Sequence, residues 1–229
     1  MRISAKWYRR LPERFGPKDA RHGVIHLRNY TAKYLVAGAG EPLVLVHGLA
    51  GGYELLGRLA RVLARQYQVI CVQLRGDEDP LVARRPDSLA DLADDLADML
   101  DTLLLERPTV LGVSFGSAVA LEFALRFPRK AGRLVLHGIE ARFRNRLGSR
   151  IARLALEQFP LPHDNPFFNQ FFRMLFARRE LTGPLLDYVA AQCWRTDQSV
   201  IAERLAMLAD FDVRDRIAEL DVPALVVAG

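Results

Sequence analysis

The stretch Gly112-Val113-Ser114-Phe115-Gly116 decides the fold of this chain. It lies between a short apolar run, Thr109-Val110-Leu111, and a long apolar pattern with helical spacing. A serine between two glycines at a strand-to-helix junction is typical of a nucleophile elbow, a tight turn that presents the serine hydroxyl. Glycines are needed because side chains would collide where strand and helix meet. The pattern predicts Ser114 as a catalytic nucleophile, supported structurally by Gly112 and Gly116.

A second motif precedes this one in the chain. The run Pro42-Leu43-Val44-Leu45-Val46 predicts a buried strand that leads directly into His47-Gly48-Leu49. A His-Gly turn after an early strand supplies a backbone amide that faces the nucleophile, and together with the amide after the serine it forms an oxyanion hole. Because His47 precedes this loop, we expect His47 and Gly48 to support the loop structurally rather than to act on the substrate.

With both motifs in place, the chain resembles the α/β-hydrolase superfamily. The resemblance is to its capped, single-domain branch of esterases, lactonases, carbon–carbon-bond hydrolases and proline iminopeptidases. It rests on the His47-Gly48 turn, the Leu74-Arg75-Gly76 turn and the elbow, in that order. By position, the resemblance implies that Ser114 is the nucleophile and that Leu49 and Phe115 donate the backbone N–H groups of the oxyanion hole.

The chain departs from the family at the Leu-Arg-Gly turn. Relatives usually have an aspartate two residues before the arginine and a His-Gly pair after the turn. Here these positions hold Gln73 and Asp77-Glu78. We attach no chemistry to this departure and expect Asp77, Glu78 and Asp79 to be solvated.

Composition limits the class of protein. The 229 residues are 50% hydrophobic and 26% charged, which fits one domain with an insertion. No apolar run approaches the ~20 residues of a membrane span, and no signal peptide is evident. With two cysteines the chain predicts no disulfide framework, and we expect a cytoplasmic protein. The net charge of +5 is scattered and accompanies no nucleic-acid motif. No pattern predicts a metal site or a cofactor.

The order of elements predicts an α/β fold. We expect an irregular lead-in over residues 1–20 and a core over 21–140, in which a hairpin is followed by alternating strands and helices. This alternation predicts a mostly parallel sheet with helices on both faces. One helix is predicted over 53–65 with Leu55, Leu59, Val62 and Leu63 facing inward. Another begins at Ser88, where Asp91 completes a capping box.

The alternation stops over residues 141–212, which predict several helices and no strand. A buried strand then returns within 213–229. Such an insertion, after the strand that follows the nucleophile helix, is how this family builds a helical cap. Eight of the twelve phenylalanines lie from Phe143 onward, so we expect an apolar pocket under the cap.

The remaining members of a catalytic triad are harder to place. In this family the acid follows the strand that here ends at Val227, and the histidine lies further on, whereas the chain stops at Gly229. His137, in a predicted strand, and His163, between prolines of the cap, do not have the expected position. Glu140 is an alternative acid. We therefore expect a C-terminally truncated protein that lacks its last strand or strands and its C-terminal helix.

These observations predict a serine hydrolase that acts on a small or medium, partly apolar acyl compound, with no cofactor. We expect the 229-residue chain itself to be nearly inactive, because it lacks the acid and the histidine of the triad. The alternative is a non-catalytic ligand-binding or scaffold protein of the same fold. The bond that is cleaved and the oligomeric state are left open.

Overall fold

A computed structural model describes residues 17, 19–77, 85–143, 184–193 and 195–228. Within these ranges the chain forms a seven-stranded sheet with the strand order β1-β2-β4-β3-β5-β6-β7. The strands are β1 Arg21–His26, β2 Thr31–Ala37, β3 Pro42–Val46, β4 Gln68–Val72, β5 Thr109–Val113, β6 Arg133–His137 and β7 Ala224–Val227.

The sheet is mostly parallel, as predicted. β1 and β2 form an antiparallel hairpin, and β2 is also antiparallel to β4. The pairs β3–β4, β3–β5, β5–β6 and β6–β7 are all parallel. Because the carboxyl ends of parallel strands meet at one edge, the turns after β3, β4 and β5 lie side by side. These are the His-Gly turn, the Leu-Arg-Gly turn and the elbow.

Helices cover both faces of the sheet. They are a 3₁₀ helix Tyr53–Leu56, α1 Gly57–Leu63, α2 Leu89–Thr102, α3 Phe115–Arg126, α4 Pro184–Cys193, α5 Gln198–Ala209 and a 3₁₀ helix Ile217–Glu219. Side chains alternate along a strand, so Val44 and Val46 pack with α2 and α3, whereas Leu43 and Leu45 pack with the first 3₁₀ helix and α1. The predicted two-sided α/β architecture is confirmed.

The start of α2 shows the predicted capping box. The Ser88 hydroxyl accepts a hydrogen bond from the Asp91 amide at 3.2 Å, and the Asp91 carboxylate accepts one from the Ser88 amide at 3.0 Å. Two amides without a partner inside the helix are thereby satisfied. A cap of this kind stabilises a helix by ~0.5–2 kcal/mol.

Two predictions about burial are wrong. Val62 was expected to face inward but is 59% exposed. The chain enters α1 through a 3₁₀ turn, which moves the buried stripe to Tyr53, Leu56, Gly57 and Ala60. The last strand was expected to be buried, yet all four residues of β7 are exposed. β7 is the last strand in the sheet order, and its pairing with β6 is its one strand pairing among the described residues.

The predicted cap is described only in part. The segments entering and leaving the insertion meet at an antiparallel bridge between Arg142 and Asp212, where the amide of Phe143 donates to the carbonyl of Phe211 at 3.2 Å. Both α4 and α5 lie between β6 and β7 in the chain. Residues 144–183, including His163, lie outside the described residues, so the cap and the domain boundaries stay predictions. In the ranges that are described, no helix is long and apolar enough to cross a membrane.

Candidate active site

Ser114 occupies a strained turn between β5 and α3. Its backbone has φ 54° and ψ −116°, a conformation that L-residues rarely adopt and that stores on the order of 1–3 kcal/mol. The Ser114 amide donates to the carbonyl of His137 at 2.7 Å, and the Ser114 carbonyl accepts from the Ser117 amide at 2.8 Å. Ser114 itself is exposed. The fold therefore holds this serine at the edge of the sheet in a strained backbone conformation, which contacts with neighbouring segments must stabilise.

The two flanking glycines allow this turn to form. A Cβ atom on Gly112 would lie 2.4 Å from the carbonyl oxygen of Gly116. A Cβ atom on Gly116 would lie 2.3 Å from the carbonyl oxygen of Val46 and 2.4 Å from that of His47. Contacts this short with backbone atoms cannot relax by side-chain rotation. Both positions therefore need glycine because of close approach and not because of a positive φ.

The hydroxyl of Ser117 ties the elbow to β6. Its oxygen lies 2.7 Å from the carbonyl oxygen of Gly112, to which it donates, and it accepts a hydrogen bond from the His137 amide at 3.0 Å. Ser117 is completely buried. Together with the Ser114 amide, which also bonds to His137, this hydroxyl fixes the elbow against the end of the neighbouring strand.

The loop after β3 approaches the serine from the other side. A Cβ atom on Gly48 would lie 3.8 Å from the Cβ of Ser114 and 3.5 Å from the carbonyl oxygen of Val113. Leu49 follows Gly48, and Phe115 is the first residue of α3. The first amides of a helix have no acceptor within the helix, so the Phe115 N–H is available to an outside group. Two backbone segments with amides thus flank Ser114.

Beneath this loop lies a buried charge network of His47, Asp77 and Arg204. The Nε2 atom of His47 is 2.7 Å from one carboxylate oxygen of Asp77, and Nη1 of Arg204 is 2.9 Å from the other. His47 Nδ1 lies 2.9 Å from the carbonyl oxygen of Gly48. The side chains of all three residues are at most 3% exposed. We call this the His47–Asp77–Arg204 network.

Arg204 extends the network to further backbone. Its Nη1 donates to the carbonyl of Leu49 at 3.0 Å, and its Nη2 donates to the carbonyl of Arg75 at 3.3 Å. Its guanidinium carbon lies 5.5 Å from the centre of the Phe115 ring, within cation–π range. One arginine of α5 therefore contacts the turn after β3, the turn after β4 and the first residue of α3.

The surroundings of Asp77 keep it ionised. Burial alone raises the pKa of this carboxyl, but the positive charge of Arg204 and then the contact with His47 outweigh burial and lower the pKa to about 2. Although these contacts are short, they are not aligned as hydrogen bonds. Neither carboxylate oxygen has a hydrogen-bond donor among the described residues. Asp77 is thus held by charge more than by directed hydrogen bonds.

A second buried ion pair starts from the same turn. Arg75 Nε donates to Asp95 of α2 at 2.7 Å, and Asp95 also accepts from the side-chain amide of Asn29 at 2.9 Å. Here burial is the largest influence and raises the pKa of Asp95. This pair connects the turn after β4 to α2 and to the β1–β2 hairpin.

The prediction for Asp77 is wrong, and Arg204 was missed. Asp77 is buried instead of solvated because Arg204 compensates its charge, and Glu78 and Asp79 lie outside the described residues. The sequence holds one signal for Arg204. It lies on the same side of α5 as the buried Val200 and Met207, so it is a charge placed on an apolar helical stripe.

Two of the residues named as possible members of the triad, His137 and Glu140, belong to the described part of the chain. His137 is the last residue of β6, where it is aligned with Val113 of β5, and it is exposed. Glu140 follows β6 and is also exposed. A role of Glu140 as the acid stays a prediction.

A family model and two solved structures match most of this chain. The model of the alpha/beta hydrolase fold matches residues 41–229. The chain belongs to the alpha/beta hydrolase family. Two solved structures share the fold of this family member: a hydrolase from Pseudomonas aeruginosa, with a TM-score of 0.76 and 24% identity over 91% of this chain and 80% of that one, and an esterase from Thermogutta terrifontis, with a TM-score of 0.73 and 20% identity over 91% and 80%.

Curated relatives of this family member include hydrolases. An uncharacterized protein of Mycobacterium tuberculosis is 32% identical over 48% of this chain and 32% of its own length. A 2-hydroxy-6-oxo-2,4-heptadienoate hydrolase of Pseudomonas putida is 38% identical over 44% and 38%. A 2-hydroxy-6-oxo-6-phenylhexa-2,4-dienoate hydrolase of Burkholderia cepacia is 26% identical over 89% and 75%. The matches to the first two span about a third of those relatives.

Proposed function

We propose that the protein is a serine hydrolase acting on a small or medium, partly apolar acyl compound. The observation that carries this proposal is the strained, exposed Ser114 with the backbone of Gly48 beside it. Strain of this kind persists only where the surroundings enforce it, and it concentrates at functional sites. The glycine requirement at positions 112 and 116 supports the same interpretation, because the fold gives up side chains there to bring the turn about.

In the proposed reaction the Ser114 hydroxyl oxygen attacks the carbonyl carbon of the substrate. A base removes the hydroxyl proton as the bond forms, and the carbonyl oxygen gains negative charge. The amides of Leu49 and Phe115 donate hydrogen bonds to this oxygen. When the oxyanion collapses, the leaving group departs with a proton, and water then releases the acyl group from Ser114. Losing one oxyanion donor typically lowers kcat by ~10²–10³.

The helix that begins at Phe115 assists at the same place. Its N-terminus carries a partial positive charge, and the oxyanion would form beside it. Phe115 is buried and α3 is buried through Ala124, so the body of the helix is closed to water while its first amides face the exposed Ser114. The helix therefore favours the charge that develops in the transition state.

The substrate class follows from the relatives and from the sequence of the predicted cap. Two of the relatives named above are hydrolases of 2-hydroxy-6-oxo-dienoates, and one solved neighbour is an esterase. Acyl transfer through a serine needs a nucleophile and an oxyanion hole at a carbonyl carbon. The phenylalanines of the predicted cap favour a partly apolar acyl group. We therefore propose an acyl compound without assigning the bond.

The test is active-site labelling with a fluorophosphonate probe that carries a fluorophore. The complete gene product is labelled beside its Ser114→Ala variant, and both are checked for folding by circular dichroism. We expect labelling of the unchanged protein and its loss in the variant. A folded, unchanged protein without Ser114-dependent labelling overturns the proposal and favours the ligand-binding or scaffold alternative.

A second pair of variants locates the base. His137→Gln and His163→Gln are labelled in the same way, with His26→Gln as a control because His26 bonds to Thr31 in the distant hairpin. Loss of labelling in one of the first two places the base at that histidine. Unchanged labelling in both places the base at another residue.

A further inference from the structure

We propose that Arg204 is a positioning residue that fixes the Leu49 amide of the oxyanion hole through the His47–Asp77–Arg204 network. This inference rests on the proposed function, since it concerns the aim of a donor toward the oxyanion. Arg204 need not touch the substrate to act in this way. It donates to the Leu49 carbonyl, while His47 of the same network holds the Gly48 carbonyl.

The peptide geometry of the loop shows how this works. The Leu49 N–H and the Gly48 carbonyl belong to the same planar peptide unit, and in a trans peptide they point in opposite directions. No cis peptide bond occurs in the described residues. His47 Nδ1 lies 2.9 Å from the Gly48 carbonyl oxygen, and since a carbonyl only accepts, Nδ1 is the donor. Holding this carbonyl on the buried side turns the Leu49 N–H the other way.

Arg204 holds the next peptide unit in the chain. Its Nη1 donates to the Leu49 carbonyl at 3.0 Å and approaches the Asp77 carboxylate at 2.9 Å. The other carboxylate oxygen of Asp77 lies 2.7 Å from His47 Nε2. The contacts form a closed path from the Leu49 carbonyl through Arg204, Asp77 and His47 to the Gly48 carbonyl. Nε2 of His47 also accepts a hydrogen bond from the Leu74 amide at 3.3 Å. The two side chains that hold the peptide units flanking the Leu49 Cα atom therefore both contact the Asp77 carboxylate.

The same arginine also meets the other proposed donor. Its guanidinium lies over the ring of Phe115, 5.5 Å from the ring centre. Phe115 is fully buried, so its ring gives Arg204 a fixed surface to pack on. One side chain of α5 therefore contacts both residues whose amides are the proposed donors, Leu49 and Phe115.

A lysine could not replace this arrangement. Lysine carries one compact ammonium group, whereas the guanidinium of Arg204 reaches the carbonyls of Leu49 and Arg75 with two different nitrogens. Methionine fills a similar volume but provides no donor. Comparing arginine, lysine and methionine at position 204 therefore distinguishes three contributions. Lysine keeps the charge without the forked donors, and methionine keeps the volume without charge or donors.

The matched control is Arg75. Its side chain also forms a buried ion pair with an aspartate, at 2.7 Å from Asp95. That pair joins the turn after β4 to α2 and, through Asn29, to the hairpin, and neither of its side chains bonds to the Leu49 loop in the contacts described above. Arg75→Met should therefore reduce stability about as much as Arg204→Met while leaving kcat within about twofold of the unchanged protein.

The experiment measures kcat and KM separately for the complete gene product on a p-nitrophenyl ester, together with Arg204→Lys, Arg204→Met and Arg75→Met. A misaimed oxyanion donor affects the transition state more than substrate binding. We expect kcat to fall about 10–100-fold in both Arg204 variants with KM changed less than about threefold. A further variant, Arg204→Ala, tests chemical rescue by an added guanidinium. Millimolar ethylguanidinium should raise the kcat of Arg204→Ala at least fivefold, whereas it should not raise the kcat of Ser114→Ala.

A second measurement does not depend on activity. Hydrogen–deuterium exchange of a peptide covering residues 47–52 should be faster in Arg204→Met than in Arg75→Met, while a peptide covering β5 stays equal in both. If the unchanged protein shows no Ser114-dependent turnover, the proposed function fails and this exchange still decides whether Arg204 fixes the loop. Equal exchange in the two variants overturns the proposal, as does a kcat of Arg204→Met within twofold of Arg75→Met.

Discussion

Two buried arginine–aspartate pairs originate at the turn after β4, and they differ in what they hold. Arg75 and Asp95 meet at 2.7 Å, and Arg204 and Asp77 meet at 2.9 Å. The Asp95 carboxylate accepts aligned hydrogen bonds from Arg75 and from Asn29. The Asp77 carboxylate is approached by Arg204 and His47 without such alignment, while those residues direct their aligned bonds to backbone carbonyls.

The two pairs also differ in their electrostatics. The pKa of Asp95 is raised, since burial outweighs its donors and Asp91 adds a like charge. Burial also acts to raise the pKa of Asp77, but Arg204 and His47 outweigh it and lower the pKa to about 2. The comparison shows that short buried ion pairs can have different structural roles. The Arg75–Asp95 pair joins the turn after β4 to α2 and the hairpin. The Asp77 carboxylate instead balances the charge of Arg204, which holds the loop at Leu49.

The largest effect expected is loss of stability when one partner of either pair is removed. Asp77→Ala and Asp95→Ala each leave a buried guanidinium without its counter-charge, which costs ~3–5 kcal/mol. The double variant Asp77→Leu with Arg204→Met should be more stable than Asp77→Ala alone, since no buried charge then remains unpaired. Urea unfolding followed by circular dichroism measures both. A double variant less stable than the single one would break the comparison.

The pH dependence should have opposite sign for the two aspartates. The folded pKa of Asp77, about 2, lies below its ordinary 3.8, so its contribution is complete above pH 4 and is lost as the pH falls toward 2. The shift corresponds to about 2 kcal/mol. The pKa of Asp95 is raised, so ionising its carboxyl costs more free energy in the folded than in the unfolded chain. This cost is relieved as the pH falls through the folded pKa of Asp95.

Unfolding free energies at pH 5 and pH 2 test this sign. The advantage of the unchanged protein over Asp77→Asn should shrink by about 2 kcal/mol across that interval. The corresponding difference for Asp95→Asn should move in the other direction. NMR titration of the two carboxyl carbons provides the direct measurement, with Asp95 expected to protonate first. The same titration order in reverse would contradict the electrostatic part of the comparison.

The smallest effect is expected at an exposed arginine–aspartate pair with a similar separation. Arg214 and Asp212 meet at 2.7 Å, and this hydrogen-bonded contact lowers the pKa of Asp212 to about 2, the same value as for Asp77. Because both groups are open to solvent, Asp212→Asn should leave the urea midpoint unchanged within error. A change as large as that of Asp77→Asn would show that burial is not what separates these pairs.

The elements that follow from local rules could be predicted from the sequence. The elbow followed because glycine is required wherever backbone segments approach closely, and Gly112 and Gly116 meet that condition. The capping box at Ser88 and Asp91 was predictable because both partners lie within one turn. The parallel order of the sheet followed from the alternation of strands and helices. In each case the interacting groups are neighbours in the chain or repeat with a simple period.

The features that depend on distant partners could not be predicted. Asp77 was assigned to solvent because its neighbours in sequence are polar, while its counter-charge comes from α5, beyond the predicted cap. The buried face of the first helix differs from the predicted one because a 3₁₀ turn precedes α1. The prediction assumed about 3.6 residues per turn from the start of the helix, and a 3₁₀ turn has fewer. The exposure of β7 depends on which elements lie beside it, and its apolar sequence alone carries no such information.

The sequence separation inside the His47–Asp77–Arg204 network bears on how the chain assembles during synthesis. The Arg204 contact with Leu49 spans 155 residues, whereas the strands up to β6 and the elbow are complete once His137 has emerged. The 67 residues from 137 to 204 require roughly 3–13 s at translation rates of roughly 5–20 residues per second. During that interval the loop at Leu49 lacks its arginine. The nascent sheet can therefore form while the loop still samples other conformations, and its geometry becomes defined late in translation.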